Sequence, residues 1–421
     1  MNPVASQTAP PAPEKFRKRA AFSTRLPSPN IAVIVGGSAA ALLIGLAIFS
    51  GHGLRQGLLY GIGLLLGYTL YHARFGFTSA FRQLLAVGQG AALRAHMLML
   101  SVASLLFAPI LSLGIGFFGV EPSGNVSPIG VSLLVGAFLF GAGMQLGGGC
   151  ASGTLYAVGG GRTAVFLTLA GFIAGSVIGA WHWGFWVQKM PSLPPISLAE
   201  DTGLGYGGAL LLQLAIFGSV AGITLWVAKR RRPPEMKPVP GARGWLRIFR
   251  GAWPLWVGAI LLAALNALTL TIKGEPWGIT SAFALWGSKI AAVLGVDVAS
   301  WAYWSGERAA SLEAPILADI TTVMNFGIIF GAMLAAGASG TYALRRVPWR
   351  AAVASVIGGL LMGYGARLAF GCNIGAYFGG IASFSLHGWI WIIVALGGNY
   401  AGLLLRPLFG LSNPKPTDSV C

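Results

Sequence analysis

The feature that most constrains this chain is an apolar run of about twenty residues, long enough for one helix to cross a bilayer. It recurs ten times in 421 residues, at roughly 31–50, 57–73, 95–118, 129–149, 163–186, 206–228, 252–272, 318–341, 350–370 and 388–408. The shorter alternating segments of a membrane barrel are not visible. Only 9% of the residues are charged, against about 25% in soluble domains. The expected fold class is therefore all-α, a polytopic membrane protein of about ten transmembrane helices. Its 63 glycines imply closely packed helices, some of them broken.

A net charge of +17 raises the question of a polyanionic partner, but the cations lie in short tracts between apolar runs: 15–19, 229–232, 243–250 and 345–350. That distribution sets orientation and implies no nucleic acid. Threading the runs from a cytoplasmic N-terminus keeps Arg74, Arg82, Arg94, Arg162, the 229–250 tract, 345–350 and Arg406 inside, with most acidic residues outside. Arg55, Lys189, Lys273, Lys289 and Arg308 form an outer minority. Both termini are then cytoplasmic. The expected organisation is a disordered tail over 1–30, a first membrane repeat with extra and linker helices over 31–228, a basic loop over 229–251, a second membrane repeat over 252–410, and a tail over 411–421.

Two repeats support that division. Gly141, Gly143, Leu146, Gly149, Cys150 and Gly153 recur at a constant offset as Gly363, Gly365, Leu368, Gly371, Cys372 and Gly375. A second marker, GFTSAF at 76–81, recurs as GITSAF at 278–283. Spans two to five thus correspond to spans seven to ten, and the single sixth span between them turns the second copy upside down, an inverted-topology arrangement. The marker-to-cysteine spacing is 74 residues in one copy and 94 in the other, so the second carries an insertion. Segments 76–90 and 278–294 are too short for confident spans. They read either as re-entrant helices, with Thr78, Ser79, Thr280 and Ser281 as candidate caps, or as helices on the membrane surface.

A Gly-Cys-x-x-Gly break suits a transport path. Glycine lets the backbone leave the helix and approach a ligand, and the following half-helix turns its positive end toward an anion. The thiol is a soft, weak donor. A single buried cysteine among glycines is ordinary packing, whereas two at symmetry-related points build one site. Candidate binding residues are therefore Cys150, Cys372, Gly149, Gly153, Gly371 and Gly375. Gln145 and Arg367 join them, each five residues before a cysteine, and Asn373 beside the second. Arg367 reads either as an anion ligand or as a side chain reaching for the outer interface. The five histidines have no metal-ligand spacing, and no nucleotide loop or paired-carboxylate site is present. No cofactor, metal or enzymatic activity is expected.

The paired motifs around Cys150 and Cys372, in a glycine-rich chain of short spans, resemble the YeeE/YedE family, the sulfur-transport domain, over roughly 57–408. The resemblance implies a bacterial inner-membrane permease importing a small sulfur-containing anion, thiosulfate above others, by successive transient thiol contacts. It also implies a TusA-like cytoplasmic sulfur carrier as partner. The family's thiosulfate carriers hold a further cysteine. Here the third thiol, Cys421, ends a polar tail, so a three-thiol relay cannot operate. Alternatives are carriage of another sulfur or selenium compound, or a membrane sulfurtransferase working through a persulfidated cysteine.

Overall fold

The computed structural model describes residues 26–233, 242 and 244–415. Most of the tail expected over 1–30, positions 234–241 and 243 of the basic loop, and the end of the C-terminal tail with Cys421 lie outside the described residues. The helices in chain order are α1 (Ile31–Ala73), α2 (Phe77–Val87), α3 (Ala91–Leu113), α4 (Val131–Gly147), α5 (Ala151–Gly159), α6 (Thr163–Trp181), α7 (Gly205–Arg231), α8 (Leu246–Phe249), α9 (Leu255–Lys273), α10 (Thr280–Val293), α11 (Ala309–Glu313), α12 (Ile320–Ala338), α13 (Trp349–Leu368), α14 (Gly380–Ala382) and α15 (Leu386–Leu405). Extended pairing among the described residues is limited to a two-residue ladder of Ile129–Gly130 with Ser192–Leu193 and a single antiparallel bridge between Ser197 and Ser385.

Nine stretches among the described residues are long and apolar enough to cross a membrane. The first of them, Ile31–Val87, holds two legs and a short helix. Gly53, at φ 79°, leaves the helical region inside α1, and the Tyr60 hydroxyl donates to the Ala41 carbonyl at 3.0 Å. In a straight helix those residues would stand about 28 Å apart. The chain therefore folds back near Gly53, and ten legs result, as the apolar runs imply.

Loop contacts obey the alternation read from the sequence. At one end, Arg55 donates to the last carbonyls of α9, Ile272 and Lys273, both at 2.9 Å, capping that helix terminus. Gln56 at the same end reaches the Leu317 and Ala318 carbonyls. At the opposite end the Tyr71 hydroxyl meets Thr341 Oγ1 at 2.7 Å, and His72 meets the Gly251 carbonyl.

The helix pairs repeat. α1 packs on α12 as α9 packs on α3, α4 on α15 as α13 on α6, and α10 on α6 as α2 on α15. The two copies meet at α4 and α13. A Cβ on Gly136 would lie 2.6 Å from the Gly365 carbonyl oxygen, and one on Gly143 would lie 2.6 Å from that of Gly358. Chain position rises along α4 as it falls along α13, so these equivalent helices run antiparallel. Gly136 and Gly358, like Gly143 and Gly365, share the offset of the cysteine motif, so each contact maps onto the other. A two-fold axis along the membrane normal would leave equivalents parallel, so this one lies in the membrane plane. Only glycine allows backbones this close.

The short helices α2 and α10 have 11 and 14 residues, too few to cross a bilayer. The expected side-chain caps do not form at either start. Gly76 and Ile279 occupy the cap positions without a side-chain bond, Ser79 turns to the Gly76 carbonyl, and Ser281 bonds Thr321 across to α12. Ser79 thus bonds back to its own cap residue, whereas tertiary partners, Arg367 and Thr321, take up Thr280 and Ser281.

Candidate functional site

Both cysteine motifs sit where a long helix breaks. α4 stops at Gly147, Gly148 turns at φ 76°, and Cys150 stands before α5. Its carbonyl accepts the first helical bond, from Thr154 N at 2.7 Å. In the second copy α13 stops at Leu368, Phe370 and Gly371 take φ 56° and 151°, and Cys372 opens a π-helical turn over Asn373–Gly379. A Cβ on Gly371 would meet Ala376 N at 2.8 Å, so this position needs glycine for conformation and for space.

The two breaks meet at the centre of the bundle, where α5 touches the π-turn. Both cysteines are 1% exposed. Neither faces lipid. Cys150 Sγ lies 3.3 Å from Ser152 Oγ, and Cys372 Sγ accepts from Ile374 N at 3.3 Å. Gly153 leaves the space over Cys150 open, since a Cβ there would stand 3.6 Å from the sulfur. Gly375 places its carbonyl against Asn125 Nδ2 at 2.7 Å. Asn373 is fully buried with both ends of its amide unpartnered, and Thr154 Oγ1 is likewise buried and unpartnered. Unmet polar groups beside two thiols are expected where a ligand passes.

Gln145 and Arg367 occupy equivalent positions with different partners. The Gln145 side chain accepts from Arg82 Nε at 2.9 Å and donates to Asn399 Oδ1 at 2.6 Å, while its own carbonyl accepts from Arg406 at 2.6 Å. Its amide is spent on holding α2, α4 and α15 together. Arg82 and Arg406, assigned by sequence to orientation alone, belong to this network. Arg367 is 6% exposed, and its two terminal nitrogens donate to Tyr303 OH and Thr280 Oγ1 at 2.5 Å each. Its Nε has no partner. The side chain turns into the protein, not toward the outer interface.

Arg367 lines a cavity of about 360 Å³ that reaches Gly371 and Gly375, and Lys273, Glu275, Tyr303 and Arg308 also line it. The equivalent corner of the other copy, around Arg74, Gly76 and Ser79, holds about 40 Å³. Sequence reasoning missed Tyr303, Arg308 and Asn125. The 20-residue excess in the second copy was the available signal for the first two, because it is this insertion that carries them. Among the described residues no cluster of histidine, cysteine and carboxylate side chains could hold a metal.

The family profile described as Sulphur transport matches residues 72–401. The chain belongs to that family. Family members similar to this chain include a thiosulfate transporter TsuA of Spirochaeta thermophila, 30% identical across 82% of this chain and 98% of that relative. The thiosulfate transporter TsuA of Escherichia coli is 26% identical, over 80% of this chain and 90% of its own length. A probable transporter YedE of Escherichia coli is 34% identical over 38% of this chain and 41% of its own. The family carries sulfur compounds across membranes, so the chain is a multi-pass membrane transporter and not an enzyme.

Proposed function

We propose that the chain is a permease of the bacterial inner membrane importing a small sulfur-containing anion, thiosulfate above others. The path runs between the repeats 31–228 and 252–410, with both termini cytoplasmic. One observation carries the reading: two buried thiols stand at touching, symmetry-related helix breaks, with a basic cavity leading to the second. The cavity end is then the outer one.

An anion entering there meets Arg367 and the glycine-lined turn at Cys372, then passes to Cys150, where the positive end of α5 begins. Each S–H is a weak donor that holds a sulfur atom briefly and needs no covalent bond, and weak successive sites favour passage over trapping. Asn373 and Thr154 supply the remaining hydrogen bonds. A TusA-like carrier would collect the product at the face bearing Arg74 and Arg162.

Uptake of labelled thiosulfate by cells expressing wild type, Cys150→Ala or Cys372→Ala tests this. Loss of about tenfold or more in both variants is expected. Normal uptake in both removes the thiol mechanism, and a persulfide on either cysteine after exposure, read by mass spectrometry, turns the reading toward a sulfurtransferase.

A further inference from the structure

Two connections between helices make contacts that the thiol path leaves unexplained. The segment 114–128, between α3 and α4, belongs to the first copy but is fastened to the second. Ser123 N donates to the Gly274 carbonyl at 2.8 Å, Asn125 N to Ser383 Oγ at 3.0 Å and Ser127 N to His387 Nδ1 at 3.3 Å. The Asn125 side chain meanwhile donates to the Gly375 carbonyl, inside the turn that Cys372 opens. The segment thus lies across that turn as a strap, on the side of the outer cavity, which Ser123, Asn125 and Ser127 also line.

The second copy repeats the device at the opposite end. The segment 339–348, between α12 and α13, is the counterpart of 114–128 and is fastened to the first copy. Arg345 N donates to Thr163 Oγ1 at 2.9 Å, Thr341 Oγ1 meets the Tyr71 hydroxyl, and a Cβ on Gly161 would stand 2.9 Å from the Tyr342 ring. Gly161 and Thr163 follow Cys150 at the spacing by which Ser383 and Ser385 follow Cys372. Ser383 bonds its strap directly, and Ser385 shares His387 Nδ1 with Ser127. Each strap therefore rests on the same place in the other copy's cysteine hairpin.

The bundle between the straps has little slack, because α4 and α13 meet backbone to backbone. The straps differ. Each is held by single hydrogen bonds and carries glycine in the left-handed region, Gly114 and Gly119 in one and Gly340 in the other. Such connections absorb the backbone change of an opening motion. We propose that the straps are a pair of gates: 114–128 lifts to admit the anion to Cys372, and 339–348 lifts to release it past Cys150. This rests on the permease reading above and adds to it the parts that move. Passage then needs no rocking of one copy against the other.

The test locks the outer strap of the full-length chain in spheroplasts. A Cβ on Gly124 would stand 3.0 Å from Ser383 Cβ, near the roughly 3.8 Å of a disulfide, so Gly124→Cys with Ser383→Cys should bridge under copper phenanthroline. Uptake of labelled thiosulfate should then fall about tenfold or more against identically treated wild type and return with dithiothreitol, because a bridged strap cannot populate its lifted state. Bridged uptake within about twofold of the reduced form overturns the inference. A second readout needs no transport: labelling of Cys372 by an impermeant thiol reagent added outside, read on its own peptide by mass spectrometry. The bridge should slow it about tenfold. Asn125→Ala, which frees the Gly375 carbonyl, should speed it about fivefold, the effect of one hydrogen bond on an opening equilibrium. A folding defect cannot move the two in opposite directions, and equal labelling in both refutes the outer gate. Tyr342→Ala should likewise speed labelling of Cys150 in inside-out vesicles, and no change there removes the inner gate. Labelling that follows the strap in a chain that moves no thiosulfate even as wild type keeps the gates and removes the permease. Wild-type uptake that the bridge leaves intact does the reverse.

Discussion

Gly149 and Gly371 occupy the same place in the repeated motif, yet alanine should be tolerated at one and not at the other. At Gly371 an alanine must hold φ near 151°, a region costing an ordinary residue about 1–3 kcal/mol. Its Cβ would also stand 2.8 Å from Ala376 N, so the π-turn must move by roughly half an ångström to restore normal contact. Overpacking of that kind costs about 1–3 kcal/mol, and with partial relaxation the sum is about 2–4 kcal/mol. At 1.4 kcal/mol per factor of ten, the ratio of molecules keeping Cys372 in place to those with it displaced falls by roughly 30-fold or more. Gly149 is outside the positive-φ region, and its Cβ would meet Gly153 C at 3.2 Å and Thr154 N at 3.3 Å, a crowding relieved by a few tenths of an ångström. Its cost should stay below about 1 kcal/mol. Two measurements read this out: initial uptake of labelled thiosulfate at matched membrane levels, and the rate at which a permeant maleimide reaches Cys372, now 1% exposed. Gly371→Ala should cut uptake at least tenfold and speed labelling, while Gly149→Ala changes each by less than about fivefold. Equal behaviour of the two variants, or labelling in Gly371→Ala within about twofold of wild type, would refute the reasoning.

Three further outcomes follow from the geometry. Gln145→Leu removes partners from Arg82 Nε and Asn399 Oδ1 at once and should cost about 2–4 kcal/mol; an unchanged melting temperature in detergent would deny Gln145 its place as a hub. Gly358→Ala puts a Cβ 2.2 Å from Gly147 N, whereas one at Gly397 meets nothing within 4 Å, so the first should destabilise the chain by about 2 kcal/mol or more and the second act as a neutral control. The Lys273 ammonium, and less so Arg308, holds the Glu275 carboxyl below its ordinary value. A depressed value means that the attraction is fully present above the unfolded carboxylate pKa of about 4.3 and is lost as pH falls through the folded one. The melting temperature in detergent should therefore show no loss from this pair between pH 8 and about pH 5 and should lose its contribution on further acidification, and a transition of the pair near neutrality would contradict the assignment.

Ten crossings, their alternation and the inverted pairing of the copies were legible in the sequence for a physical reason. Each depends on local quantities: the length of an apolar run, the parity of the count, and two short motifs kept at a constant offset. The same holds for the helix breaks at Cys150 and Cys372, since clustered glycines act within a few residues of themselves. What the sequence could not reveal is which side chains from distant segments converge. Arg82 and Arg406 look like orientation signals along the chain, and only the packing of α2 and α15 against α4 turns them onto Gln145. Arg367 could equally have reached outward. Its direction was decided by Tyr303, 64 positions away on the inserted loop, and by Thr280 at the head of α10. Depth followed the same rule, since counting residues along straight helices separates the cysteines, and tertiary contact between α5 and the π-turn brings them together. The sequence by itself determined how often the backbone crosses and where it breaks, because those are properties of neighbouring residues. Only the tertiary structure decided which polar groups share the interior, because that depends on the directions of side chains joined by no local rule.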